Sequence, residues 1–425
     1  MKIWVGIDDT DSKKGMCTTY LCKLILERLE NKGHRILGLP RLIRLNPNIP
    51  FKTRGNGAVS FLVETEDPRD LVDIVNEVIL EYAELDEDLT DPGAVFVNAE
   101  NDELLNVLFK FSKRAIRDVV SLDEALFIIG KYLIPHLKYK RGRGLIGALA
   151  SVGAECEDYT LELLAYRKPE NFGKKRIIER DSFFYADLLT YPKTWDTVDW
   201  GNDEVVCVPN SPDPVLFGIR GDDIKAVFDA FEVVKTEEVD KYQLFITNQG
   251  TDMHLIPEDE VYQLFENRSY ILSGVVSEEP FEIEGGHVFF TIDTVFGDIK
   301  CAAFEPTKQF RRVIRKLKKG DKVIVYGSYK NETINLEKIQ IVELKKIIRE
   351  VNPVCPICGK RMESAGRNKG FRCKRCKTTS NKKEIIEIER DLEPGFYEVP
   401  PSARRHLSKP LIRMTNTNGE KHIFR

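Results

Sequence analysis

The sequence predicts an α+β multidomain protein with an N-terminal α/β domain, a ferredoxin-like domain, an OB-fold β-barrel and a C-terminal zinc ribbon. Three observations carry this prediction. The first hundred or so residues read strand-helix-strand-strand-helix-strand, the ferredoxin-like order. Residues 270–345 break into five short β-rich runs with one helical insert between the third and fourth, which is the OB order. Cys355, Cys358, Cys373 and Cys376 form two C-x-x-C pairs separated by 14 residues. The expected divisions are 1–138, 139–258, 268–346, 352–380 for the ribbon, and a basic tail over 381–425.

Each element has a local reason. Residues 2–8 (KIWVGID) alternate enough to read as a first strand and end in the polar run Asp8-Asp9-Thr10-Asp11-Ser12. Residues 18–31 place Leu21, Leu24, Ile25 and Leu29 on one helical face. Strand-like runs follow at 36–45 and 57–64, a helix at 68–83 and a short strand at 94–97. Two further helices are expected near 101–115 and 121–133. Residues 145–152 and 160–167 read as strands, 174–190 as a helix, 204–208 and 215–219 as strands, 222–232 as a helix and 242–247 as a strand. This second α+β unit also fits a ferredoxin-like core. The barrel runs are YILSGVVS, HVFFTIDT, IKCAAF, KVIVYGSY and TINLEKIQIVEL, with the helical insert near 307–317. The tail carries Pro394, Pro400, Pro401 and Pro410, and no structure is assigned to it.

Composition bounds the function. The 425 residues are 42% hydrophobic and 31% charged, enough for real cores and not a disordered chain. At ~150 residues per domain the length suggests about three domains. No run approaches the ~18 apolar residues that cross a bilayer, and the N-terminus lacks the marks of a signal peptide. A cytoplasmic protein with no membrane association and no obligate protein partner is expected. Cys17, Cys22, Cys156, Cys207 and Cys301 are then reduced thiols. The net charge of -4 would argue against a nucleic-acid partner. It is uneven, however: residues 352–425 carry +9 and the preceding 351 carry -13.

The cysteine pairs are the sharpest motif. Two C-x-x-C knuckles offer four thiolates to a tetrahedral zinc, with no position left for water, so the metal is structural. Lys360, Arg361, Arg372, Lys374 and Arg375 crowd the knuckles, a composition suited to RNA phosphates, with a solvated basic face as the lesser alternative. The Asp8-Asp9-Asp11 run at a strand exit is costly without a cation, and hard oxygen ligands suit magnesium. The same run also fits a helix-capping surface loop. Gly15, Cys17 and Thr18 then open a helix whose amides attract anions. Residues 46–57 and 136–144 are basic, glycine-spaced loops able to approach phosphate or simply face solvent. No Walker-type phosphate loop, G-x-S-x-G or H-E-x-x-H occurs.

Taken together, Gly6–Ser12 with Gly15–Thr19, Lys52–Gly57, Lys140–Gly147 and Ile246–Asp252 resemble the archaeal 2-agmatinylcytidine synthetases that act on the AUA-decoding isoleucine tRNA. The resemblance covers essentially the whole chain. It implies an ATP-dependent ligase with an unusual kinase-like first domain, over residues 1–138. ATP activates C2 of the wobble cytidine in a CAU anticodon, and agmatine replaces the oxygen to give agmatidine. It further implies ATP, Mg²⁺ and structural Zn²⁺ as cofactors, and tRNA and agmatine as partners. The phosphorylated threonine of the family matches Thr18. On this reading Asp8, Asp9 and Asp11 hold magnesium. Gly15, Thr18, Gly55, Asn56, Gly57, Lys140, Arg141 and Arg143 face the ATP phosphates, and Lys52 and Arg54 serve catalysis. Asn248, Gln249 and Asp252 are candidates for agmatine, or an ordinary turn after a strand.

Two other readings compete. A non-catalytic OB-fold and zinc-ribbon RNA-binding protein would bind RNA without turning over ATP. A nucleotide phosphoesterase with an Asp-rich loop would need metal-ligating histidines, and only His34 is near in sequence.

Overall fold

The computed structural model describes residues 1–50, 52, 55–155, 157–415 and 419–425. Arg54 and Cys156, both singled out in the sequence, lie outside the described residues.

The first unit contains β1 (Lys2–Asp8), α1 (Thr18–Asn31), β2 (Arg35–Arg44), β3 (Gly57–Glu64), α2 (Pro68–Tyr82) and β4 (Gly93–Asn98). Its strands lie in the antiparallel order β4-β1-β3-β2, the ferredoxin-like arrangement read from the sequence. α1 buries Leu21, Cys22, Ile25, Leu26 and Leu29, and α2 buries Leu71, Ile74, Val75, Val78 and Ile79, all against one sheet face. α3 (Asp102–Arg117), α4 (Leu122–Tyr132) and β5 (His136–Lys138) follow, with β5 joining the free edge of β4.

α5 (Gly144–Gly153) is a correction, because the apolar run at 145–152 reads as a strand in the sequence. GLIGALASVG is apolar on every side, so it carries no period to separate helix from strand. It packs between β1 and α3, on the sheet face opposite α1 and α2. The approach is close: a Cβ on Gly6 would collide with the Ala148 carbonyl.

The second unit contains β6 (Thr160–Arg167), α6 (Arg180–Thr190), β7 (Thr194–Trp195), the small hairpin β8 (Val198–Asp199) and β9 (Glu204–Val205), then β10 (Val215–Gly221), α7 (Ile224–Val233) and β11 (Val239–Thr247). Its strand order, β11-β6-β10-β7, repeats the topology of the first unit. The two units join edge to edge in one nine-stranded sheet, where β2 and β11 run parallel through Arg41–Ile246 and Leu42–Thr247.

After β12 (Leu255–Pro257), the strands β13 (Arg268–Ile283), β14 (His287–Thr294) and β15 (Gly297–Ala303), the helix α8 (Phe310–Ile314), and the strands β16 (Lys322–Lys330) and β17 (Thr333–Glu343) form a closed five-stranded barrel. Its neighbours run β13-β14-β15-β17-β16 and back to β13. α8 sits between the third and fourth barrel strands, as expected. The ribbon is an insertion on a two-stranded stalk. β18 (Ile347–Val351) leads into it through β19 (Glu363–Ser364), β20 (Phe371–Arg372) and β21 (Thr379–Ser380). β22 (Glu384–Ile388) returns antiparallel to β18.

The segment expected to be a basic tail is instead a strap. β23 (Gly395–Glu398) pairs with β17, and β24 (Lys421–His422) pairs with β23. Between them the chain runs back over the second unit. Arg404 lies between Asp196 and Glu398, Arg413 binds Asp158 and Asp222, and Gly201 N donates to the Arg425 carbonyl. Pro400 and Pro410 each lead into a short helical turn of this segment. Lys338 of β17 adds a tie: its fully buried ammonium donates to Asp252 at 2.6 and 2.8 Å and to the Lys409 carbonyl at 2.7 Å. Among the described residues no helix is long and apolar enough to cross a membrane.

Replacing Lys338 with Met leaves Asp252 without its cation and removes a link between barrel, second unit and strap. Urea unfolding should show a loss of about 3–5 kcal/mol relative to the parent chain. An unchanged midpoint would mean that the tie contributes nothing to stability.

Candidate active site and zinc centre

β1 delivers Asp8 to the edge of the seam between the two units, and the chain then turns sharply. Asp9 adopts a left-handed conformation (φ 60°). Gly147 of α5 faces the Asp8 carboxylate so closely that any Cβ there would collide with it. Burial, and then the charges of Asp9 and Asp11, push the Asp8 carboxyl well above the usual range. Burial likewise pushes Asp9 up to about 6, with Arg143 opposing. Asp91 joins them just before β4, and its backbone N–H donates to Asp9 Oδ2 at 3.2 Å. Its own carboxylate is almost inaccessible and accepts from Arg141 Nε at 3.1 Å. Thr10 Oγ1 donates to Thr18 Oγ1 at 3.0 Å.

Two helices open at this place, and both differ from their neighbours. α2, α3 and α4 are capped by the side chains of Asp67, Asn101 and Ser121. α1 and α5 begin at Cys17 and Arg143 without a side-chain cap and without an acidic residue in the first turn. The first amides of α5 are already engaged, Gly144 N with the Asp91 carbonyl at 2.9 Å, and Leu145 N and Ile146 N with the Gly142 and Arg143 carbonyls at 3.1 Å, so α5 offers the space in front the positive end of its dipole, as α1 does.

That space is a cavity of about 680 Å³ shared by the two units. Asp8, Asp9, Asp11 and Thr18 line it, with Lys52, Gly55, Asn56, Gly57, Arg141 and Arg143. The second unit supplies Glu162, Asp196 and Arg220, and the strap supplies His406. Arg220 donates to Glu162 at 2.9 Å and to His406 Nδ1 at 2.8 Å. Burial would raise Glu162, but Arg220 and Arg44 outweigh it and hold the carboxyl below its usual range. Burial, then Arg44 and Arg220, push His406 far below the usual imidazole range, so its ring is neutral and accepts through Nδ1. One cavity thus has a half lined by cations and helix N-termini, and a second-unit wall in which Glu162 is ion-paired with Arg220 and Asp196 with Arg404.

Most of the sequence candidates meet here, but not all. Gly15 and Lys140 lie off the cavity wall, and Lys140 donates to the Glu87 carbonyl. Asn248, Gln249 and Asp252 are also off the wall. Asn248 brackets the backbone of Arg44, accepting from its N–H at 2.8 Å and donating to its carbonyl at 2.9 Å. It thereby continues the β2–β11 seam past the last residue of the strand. Gln249 bridges Arg44 and Glu162 from behind. Asp252 is held by Lys338. The polar run that looked like a pocket is the support beneath one. Asp91, Glu162, Asp196, Arg44, Arg220 and His406 escaped the sequence reading. Each is a single residue from a different segment, and no local spacing marks it.

The ribbon fits a tetrahedral metal. The four cysteine Sγ atoms lie within 4.8 Å of one another, and Cys358 and Cys373 are 3.6 Å apart. Zinc–sulfur bonds of ~2.3 Å require sulfur edges of about 3.8 Å. The two knuckles are the same turn: Gly359 N donates to the Cys355 carbonyl, and Lys377 N to the Cys373 carbonyl, each at 2.9 Å. The apolar core around them is only Met362 and Phe371, too little to hold the ribbon without the metal. Lys360, Arg361, Arg372, Lys374 and Arg375 are exposed, and Arg361 and Lys374 are in contact with Glu384 and Glu363.

Comparison with known proteins covers the whole chain. Residues 4–141 match the family description "TiaS TCKD domain", 142–254 "TiaS FLD domain", 270–342 "OB-fold nucleic acid binding domain" and 352–392 "TiaS C-terminal zinc ribbon domain". The isoleucine-tRNA 2-agmatinylcytidine synthetase TiaS of Archaeoglobus fulgidus is 64% identical over all 425 residues, covering all of both chains. Two solved structures superpose over the full length of both chains. A complex of TiaS with its isoleucine tRNA and ATP has a TM-score of 0.91 at 64% identity. A complex of TiaS with that tRNA, AMPCPP and agmatine has a TM-score of 0.89 at 61% identity.

The raised Asp9 carboxyl fixes the sign of a pH effect. The folded chain holds this proton up to about 6 and the unfolded chain only to its ordinary value of 3.8. Stability of the metal-free protein should fall as pH rises through that window, by on the order of 1–3 kcal/mol from this group. Asp9→Asn should flatten the change in melting temperature between pH 4 and 6 and raise stability at pH 7. An Asp9→Asn chain that melts lower at pH 7 would contradict the electrostatic account.

Proposed function

The chain belongs to the isoleucine-tRNA 2-agmatinylcytidine synthetase family, and from that membership and the composite cavity we infer how its residues carry the reaction. It is an ATP-dependent ligase that builds agmatidine at the wobble cytidine of the AUA-decoding isoleucine tRNA, with tRNA and agmatine as its partners. The observation that carries the residue roles is one cavity that joins a cationic half to a wall holding the arginine-paired carboxylates of Glu162 and Asp196.

In the cationic half, the first turn of α1 and the positive dipole end of α5 face the triphosphate oxygens, with Arg143, Arg141, Lys52 and the Gly55–Gly57 backbone beside them. Arg54 is assigned with them from the sequence alone. Thr18, at the first turn of α1, accepts the phosphoryl group, and Thr10 fixes its hydroxyl. Asp8 and Asp9 are desolvated with too little positive charge around them, and Asp11 stands beside them on the same wall, a donor set that suits magnesium. Magnesium there would neutralise charge on the transferring phosphoryl group.

The target cytidine must leave its stack to present C2. Its C2 oxygen is a poor leaving group until phosphorylated, after which the agmatine amine displaces phosphate. Agmatine keeps a charged guanidinium throughout. We place that end towards Glu162 and Asp196, with Asn248 and Gln249 holding the wall rather than touching the ligand. The domain division into 1–138, 139–258, 268–346 and 352–380 follows these roles, with β22 closing the ribbon's stalk and the residues from β23 onward acting as a strap. A cytoplasmic location belongs to the same reading.

The direct test supplies protein, ATP and labelled agmatine with transcripts of the isoleucine and methionine tRNAs that share a CAU anticodon. Label should enter only the isoleucine tRNA, at a cytidine identified by nucleoside mass. An Asp9→Ala, Asp11→Ala double variant should lose incorporation by a factor of about 100 or more, on the order of what removing transition-state charge stabilisation costs. Full incorporation by that variant would overturn the magnesium assignment. RNA binding without ATP turnover would overturn the ligase itself.

Zinc removal offers a separate check. Cys373→Ser should release the metal and weaken tRNA binding about tenfold or more as five exposed cations lose their arrangement. ATP binding should stay within a factor of two. Equal losses of both would mean that the ribbon supports the catalytic units.

A further inference from the structure

A second cavity, of about 360 Å³, lies where α3 meets β13 and the linker before it. Its floor is one face of α3. Lys110, Lys113, Arg114 and Arg117 follow the i, i+3, i+4, i+7 spacing of a single helical stripe. The opposite side of the helix is buried through Leu104, Leu108, Phe111 and Ala115. The facing wall is aromatic. The Tyr262 and Phe265 rings meet nearly edge to face at 5.9 Å, and the Arg268 guanidinium lies 4.3 Å over Phe265.

Tyr262 is 83% exposed at the lip of this cavity, although the linker that carries it is tied down. Phe265 N donates to the Tyr270 hydroxyl at 2.8 Å, and Arg117 binds Glu260 at 2.9 Å. The lining carries five cations against the carboxylates of Asp118 and Glu260. Asp118 lines both this cavity and the catalytic one, held between them by Arg268 Nε at 2.9 Å.

We propose that this cavity takes one unstacked nucleotide of the bound tRNA, flanking the wobble base, with its base on Tyr262 and its phosphate against Lys110 and Lys113. The proposal rests on the reading that tRNA is the substrate. Extruding the wobble cytidine removes a stacking partner from its neighbour, and a fixed aromatic beside a cationic stripe replaces that partner. Every base has a π-face, so the site positions the loop without reading its sequence. The shared Asp118 wall places this nucleotide next to the one undergoing chemistry.

The test uses the full chain and unmodified isoleucine tRNA. Tyr262→Ala should raise the tRNA Kd about 5- to 100-fold, the range for loss of one base–aromatic stack. Tyr262→Phe should stay near the parent, and the KM for ATP should not move in either. The Lys110→Ala, Lys113→Ala double variant should reduce the slope of log Kd against log salt by about 1–2. A 4-thiouridine beside the wobble position should crosslink to residues 262–265. A Tyr262→Ala chain of unchanged melting temperature that binds tRNA within twofold of the parent would overturn the proposal. Crosslinks from that 4-thiouridine only to residues other than 262–265 count against it in the same way, and either result leaves the ligase standing if the parent chain incorporates agmatine. A parent chain that incorporates none overturns the reading beneath the proposal.

Discussion

Arg404 is buried between two carboxylates from different parts of the molecule. Asp196 belongs to the second α/β unit and lines the catalytic cavity, while Glu398 belongs to β23 on the flank of the barrel. Burial pushes both acids up, Glu398 to about 7, and in each case Arg404 is the largest opposing influence. A single arginine thus holds two groups that would be costly to bury alone. Two residues further along, His406 reaches the cavity and meets Arg220. The strap therefore sets where the barrel, and the ribbon on its stalk, sit relative to the catalytic seam. An enzyme that holds a large RNA in one place and does chemistry on one base in another depends on that spacing.

The cavity itself is electrostatically unfinished. Two helices point uncapped N-termini at it, and Asp8 and Asp9 are buried with less positive charge nearby than their ionised forms require. Both features favour a chain with its ligands bound. Magnesium would relieve the carboxylates, and phosphate oxygens would meet the positive ends of the helix dipoles. The charge pattern in front of the reacting atoms is then set before substrate arrives, which is the condition for electrostatic stabilisation of a phosphoryl transfer. Stability surrendered in the empty chain is the counterpart of that arrangement.

How much of this was legible in the sequence followed the range of the signal. The cysteine knuckles were readable because spacing and chemistry lie within a few residues, and the Asp8–Asp11 run was readable only as a local cluster of carboxylates, which the fold brings to the cavity wall. Alternation of strands and helices revealed both ferredoxin-like units and the barrel order. α5 was misread because an all-apolar run has no period, and only its packing between β1 and α3 makes it a helix. Asn248 and Gln249 looked like a binding loop because polar residues after a strand read that way, yet both are fully buried beneath the cavity wall. Asp91, Glu162 and Asp196 come from three separate segments that only the tertiary fold brings together. The charge asymmetry was half right as a guide to RNA. The ribbon cations are exposed, whereas Arg404, Arg413 and Arg425 are engaged with acids of the second unit.

The most direct measurement is a crystal structure of this chain with magnesium, a non-hydrolysable ATP analogue and agmatine. The account predicts triphosphate oxygens at the first turns of α1 and α5, metal on the Asp8–Asp11 carboxylates, and the guanidinium towards Glu162 and Asp196 in the same cavity. Nucleotide and agmatine in separate cavities, or a triphosphate away from both helix N-termini, would contradict it.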